Sequence, residues 1–127
     1  MRVFKTRHFA RFARGEGLKD AQIAEAIRDA ERGLIDADLG GGLIKLRVAR
    51  AGKGKSGGYR TMIAYRTRKR AVFLLGFAKS RLDNIGDDQL RDLRAAAGSI
   101  LALSEDEIEE RLAENVLLEV TYDDEGE

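Results

Sequence analysis

Hydrophobic positions recur along this chain first with a helical period, then with a period of two, then helically again. In residues 6–14, Phe9, Phe12 and Ala13 fall at i, i+3 and i+4. That is one stripe of a helix that Thr6 can cap and that Gly15 and Gly17 end. In residues 20–32, Ile23, Ile27 and Ala30, followed by Leu34, keep the same period up to a C-terminal stop at Gly33. Two helices with one apolar face each predict a hairpin laid across a sheet. The opening residues 1–5 predict an edge strand.

The pattern then alternates. After a Gly hinge at residues 40–42, Ile44, Leu46 and Val48 share one face of a strand, with Lys45, Arg47 and Ala49 on the other. Residues 52–58, GKGKSGG, predict a long hairpin loop. The next strand sets Tyr59, Thr61, Ile63 and Tyr65 against Arg60, Met62 and Ala64. Arg68, Lys69 and Arg70 make the following turn. The third strand is the most apolar, with Phe73, Leu75, Phe77 and Lys79 on one face. This predicts an antiparallel meander with one apolar face and one basic face.

Helical spacing returns with Leu90, Leu93, Ala97, Ile100 and Leu101, which predict a helix over residues 88–103 capped by Asp87. Ser104 with Glu107 spells a capping box, and Leu103 with Ile108 a hydrophobic staple, so a short helix follows at residues 105–114. Residues 116–122 predict a strand or a docking segment. The fold class is therefore α+β: an N-terminal helical hairpin, an antiparallel sheet of three to four strands, a C-terminal helix on the sheet and a short acidic helical extension. Residues 1–103 make the principal domain. Residues 104–127 form the acidic C-terminal extension, part of the same domain or loosely docked on it.

Charge sharpens this picture. The net +1 of the 127 residues conceals two opposed pieces. Residues 1–104 hold 22 basic and 11 acidic side chains, a surplus of +11, whereas residues 105–127 hold Arg111 against 11 acidic ones, or −10. No acidic residue interrupts residues 39–82, which carry twelve basic ones. A basic sheet of this kind suits phosphates. The acidic extension suggests either a tethered nucleic-acid mimic competing for the basic face, or a cover for an apolar edge through Ile108, Leu112, Val116 and Leu118.

Composition removes several chemistries. There is no Cys, and His8 is the only His, which speaks against thiolate or His-cluster metal sites and a His-activated nucleophile. Asp36, Asp38, Asp83, Asp87 and Asp88 are turn and cap residues first. No metal and no cofactor are expected. With no membrane span and no leader pattern, the chain is expected to be cytoplasmic and to have no membrane partner. Residues 49–56, ARAGKGKS, fit a loose phosphate-loop pattern, but that motif needs a helix where strand-like sequence follows here.

The candidate site follows from charge interleaved with aromatics. Lys45, Arg47, Arg60 and Lys79 are expected to converge on the open face of the sheet, near Phe77 and Tyr59. Cations serve phosphates and ring faces serve splayed bases, as single-stranded RNA requires. Arg braces a developing phosphorane, and a Lys crowded by other cations moves protons near neutral pH. Lys53 and Lys55, with neighbouring Arg50, present further charge on the Gly-rich loop. The same pattern also serves a merely solvated basic face.

The runs GGGLIKLRVARAGKGKSGGYRT and GFAKSRLDNI resemble the RelE/ParE superfamily of bacterial type II toxins, most closely the HigB-like branch, across residues 2–103. The resemblance implies a RelE-like fold and a toxin neutralised by a cognate protein antitoxin. It also implies a ribosome-dependent endoribonuclease that cuts mRNA by attack of the 2′-hydroxyl. Lys45, Arg47, Arg60 and Lys79 match its catalytic positions and Phe77 an adjacent aromatic; Arg81 and Asn84 are implied as peripheral contacts. On the same fold, a ParE-like inhibitor of DNA gyrase and a non-catalytic nucleic-acid-binding regulator are the alternatives.

Overall fold

The computed structural model describes residues 1–50, 54–77 and 85–122, without the side chains of Arg50 and residues 54–57. The elements run β1 (Arg2–Thr6), α1 (Arg7–Glu16), α2 (Asp20–Glu31), β2 (Ala37–Gly40), β3 (Leu43–Arg50), β4 (Gly54–Arg66), β5 (Arg70–Phe77), α3 (Asp87–Leu101), α4 (Glu105–Ala113) and β6 (Leu117–Val120). The class is α+β, as the periodicities predict.

The helices start and stop where side chains dictate. Thr6 caps α1 by accepting the Phe9 N–H at 3.0 Å. Ser104 and Glu107 form the reciprocal capping box of α4. Gly86, not Asp87, occupies the N-cap of α3, and Asp87 falls in its first turn, where it complements the helix dipole.

The sheet is larger than expected and mixed. Its six strands run in the order β2-β3-β4-β5-β1-β6. The opening strand is interior, not an edge: β1 pairs parallel with β5 and antiparallel with β6. The helical hairpin α1–α2 supplies the crossover, which frees β1 to lie beside a distant strand. Residues 40–42 form a tight turn between β2 and β3 rather than a loose hinge. All three glycines have positive φ there, and a side chain on Gly42 would collide with Leu101 of α3. β4 begins at Gly54, so residues 54–58 of the expected hairpin loop are strand.

Both faces of the sheet are covered, in place of one apolar and one basic face. Val3, Ile44, Leu46, Val48, Tyr59, Ile63 and Phe73 pack beneath α1 and α2. Phe4, Leu43, Met62, Ala64, Val72, Leu74 and Leu117 pack with Ala97 and Leu101 of α3 and Ile108 of α4. A bulge in β5 links the two. Met62 stands opposite Leu75 but Ile63 stands opposite Phe73, so Leu74 is the extra residue. The side-chain phase flips there: Phe73 faces α1, and Leu75 and Phe77 face the α3 side, so the expected common face of Phe73, Leu75 and Phe77 does not form.

The acidic segment is built into the far end of this sheet. Ile108 is fully buried and β6 completes the edge beside β1. Arg2 reaches Glu105, Glu109 and Glu119 at 3.2, 2.7 and 2.8 Å. Leu112 and Leu118 are half-buried, while Val116 stays 46% exposed. Glu105 and Glu109 of α4 thus engage Arg2 and Arg70, and among the described residues no α4 carboxylate is paired with a basic residue of β3 or β4. Residues 123–127 lie outside the described residues.

Candidate nucleic-acid interface

Register brings three of the expected residues into one row. Arg47 of β3 stands directly opposite Arg60 of β4, and Arg60 directly opposite Phe77 of β5. Directly opposed residues of antiparallel strands share a face with Cβ atoms about 5 Å apart. The row lies on the α3 side of the sheet. Lys45, opposite Met62, occupies the next row on that face. The β5 bulge is what turns Phe77 to this side.

The row is electrostatically unbalanced. Arg47 Nε lies 3.2 Å from Asp36 Oδ2, and the Asp36 N–H donates to the Lys45 carbonyl at 2.9 Å, which fixes the carboxylate beside the row. Arg47 Nε and Arg60 Nη1 are nonetheless buried atoms without a well-formed hydrogen bond among the described residues. The Asp36–Arg47 contact is therefore an ion pair by distance, with poor hydrogen-bond alignment. Asp36 contacts Arg47 alone of the two guanidinium groups, and Arg60 Nη1 keeps a donor to offer. Chemically this is a hydrogen-bond donor site suited to phosphate oxygens beside one aromatic ring, since each guanidinium holds its N–H donors in a planar fork.

Asp36 escapes a reading of the sequence because β2 is too short and Gly-rich to register as a strand. Without β2 there is no reason to bring Asp36 beside Arg47. Gly58 carries a related constraint. A side chain there would overlap the Val48 carbonyl, so only Gly lets β4 approach β3 closely just before Arg60.

The other expected residues fall elsewhere. Tyr59 does not join the row: it is 3% exposed on the opposite face, edge-on to Phe12 at 5.4 Å, with its hydroxyl donating to the Glu16 carbonyl at 3.3 Å. Strand alternation next to Arg60 requires this. Lys53, Lys79, Arg81 and Asn84 lie outside the described residues, as do the side chains of Arg50 and Lys55. Among the described residues no group of His and carboxylate side chains is placed to hold a metal ion, and no helix is long and apolar enough to cross a membrane. His8 is exposed on α1.

The architecture is an α+β domain in which a basic row crosses the central strands of a mixed sheet. The family model for the RelE toxin of the RelE/RelB toxin–antitoxin system matches residues 1–120. The chain belongs to this family: it is a toxin of a toxin–antitoxin system, with a cognate antitoxin as its partner. The match runs through α4 and β6. No individually curated protein matches the chain significantly.

Proposed function

We propose that this toxin is a ribosome-dependent mRNA endonuclease of the HigB-like kind, acting in the cytoplasm on translating ribosomes. RelE-family toxins are generally endoribonucleases. The observation that carries the reading is the row of Arg47, Arg60 and Phe77, in which two like charges are held face to face beside a ring.

In this reading a substrate ribose 2′-oxygen attacks the adjacent phosphorus. The 2′-O–P bond forms as the P–O5′ bond breaks, leaving a 2′,3′-cyclic phosphate and a free 5′-hydroxyl. Arg47 and Arg60 donate to the phosphate oxygens as negative charge accumulates on them. Phe77 stacks on a base beside the cut. Lys45, one row away, and Lys79 are assigned to moving the 2′-hydroxyl proton and to protonating the leaving oxygen. Arg50, Lys53, Lys55, Arg81 and Asn84 are assigned to contacts with the RNA and ribosome.

The test is mapping of mRNA ends in a reconstituted translation reaction, beside the same RNA without ribosomes. In-frame cuts only when ribosomes are present are the expected result. Cuts in both reactions would make this a free ribonuclease. Cuts in neither, from folded protein freed of antitoxin, would transfer the reading to binding without chemistry, with DNA gyrase as the next target.

A further inference from the structure

The turn between β4 and β5 carries Arg66, Arg68 and Lys69, all exposed, and among the described residues none is paired with a carboxylate. We propose that this turn is a second RNA contact, which grips the phosphate backbone of duplex RNA while the Arg47–Arg60–Phe77 row takes the single strand.

Three observations point there. The first is conformational. The Lys69 N–H donates to the Arg66 carbonyl at 2.9 Å, closing the turn, and Arg68 takes φ of +63°. That is a position for Gly or Asn, and an Arg held there trades local strain for a cation at the tip. The second is anchorage. The neighbouring Arg70 is buried and donates to the carbonyls of Ile100 and Leu103, both at 2.9 Å, where α3 ends, and to Glu105. The turn therefore projects from a fixed base. The third is composition. The tip offers Thr67 and three cations, with no apolar side chain to form the core of a protein interface and no ring to stack on a base. Cations suffice to grip the phosphates of an RNA helix, whose deep, narrow major groove side chains do not read.

Arg60 and Arg66 are six residues apart on one strand, which separates the two contacts by about 20 Å. That spacing suits one anchor on a folded RNA and another on a strand emerging from it.

The inference shares with the proposed function only the premise that RNA is the target. Its test reads binding, not cleavage: fluorescence anisotropy with a labelled 2′-O-methyl RNA duplex of about 16 base pairs and with its single strand, across a salt series. Arg68→Gly is expected to weaken duplex binding several-fold and make the salt slope shallower by about one, while the melting temperature stays level or rises. Arg66→Gln with Lys69→Gln should do the same, whereas Arg47→Gln with Arg60→Gln should weaken only the single strand. Wild-type affinity for the duplex in Arg68→Gly, or no duplex binding by the wild type, would overturn the inference. So would loss of antitoxin co-purification in Arg68→Gly with duplex binding intact, which would make the turn a protein surface. Absence of ribosome-dependent cuts would instead count against the proposed function alone.

Discussion

Arg47 and Arg60 face each other directly across β3 and β4. Like charges in that position destabilise a sheet by a few tenths of a kcal/mol to about 1 kcal/mol relative to neutral pairs. Among the described residues the one carboxylate paired with either is Asp36, at 3.2 Å from Arg47. Folding alone does not favour such a pair, and a bound phosphate does.

Replacing Arg60 should therefore separate stability from activity. Arg60→Ala is expected to melt at or slightly above the wild-type temperature and to lose about 100-fold or more in cleavage, the scale on which one transition-state donor acts. Thermal melts beside cut-site mapping check both halves. A large drop in melting temperature would mean that Arg60 serves the fold.

Phe77 is half-buried at the end of the same row, so its ring is available to a base. Phe77→Leu keeps most of the apolar contact with the neighbouring core and should fold normally. Single-stranded RNA affinity should fall by about 1–3 kcal/mol, the contribution of one stacked base. Titration of labelled, non-cleavable RNA measures it.

The acidic segment should behave as framework. Ile108→Ala removes a fully buried side chain and is expected to destabilise the protein by about 2–4 kcal/mol. Truncation after Leu103 removes both α4 and β6, and should give insoluble or unfolded chain. A folded truncation that bound RNA more tightly would restore the picture of an acidic tail competing for the basic row.

Acid should loosen the same end of the molecule. The hydrogen bond from Arg70 chiefly, against the opposing effect of burial and with a lesser contribution from Arg2, holds the Glu105 carboxyl below the ordinary carboxylate range. A depressed carboxyl stabilises the fold above its unfolded value, near 4.3, and that contribution disappears as pH falls through the lower folded value. Glu105 is 68% exposed, so solvent screening keeps the effect small. Denaturant titrations of wild type and Glu105→Gln should differ at pH 6 and converge at the acid end.

Local sequence signals located most of the elements, and long-range pairing accounts for what they missed. Thr6, Ser104 with Glu107, and the apolar stripes of α1 and α2 act within a few residues, so caps and helices were legible. The place of β1 depends on Arg70–Phe73 and Leu117–Val120, far away in the chain, and nothing local announces it. The bulge at Leu74 was equally silent, since VFLLGF reads as plain alternation. Its effect was to misassign the face of Phe73 relative to Phe77. Of the candidate row, Arg47, Arg60 and Phe77 are legible as charge and aromatic character on strands, whereas Tyr59, expected beside them, lies on the opposite face under α1. Asp36 was missed because its role exists only through β2.

The interior place of β1 also bears on time. Val3 pairs with Val120, and β1 is clamped between two strands that the ribosome makes long after it. Long-range closure of this kind is slow to form. While the chain is being translated, β1 waits without either neighbour, and the sheet closes only after α4 and β6 have followed the basic strands out. The six-stranded sheet is thus complete only once Leu117–Val120 have been made, well after the basic strands that it supports.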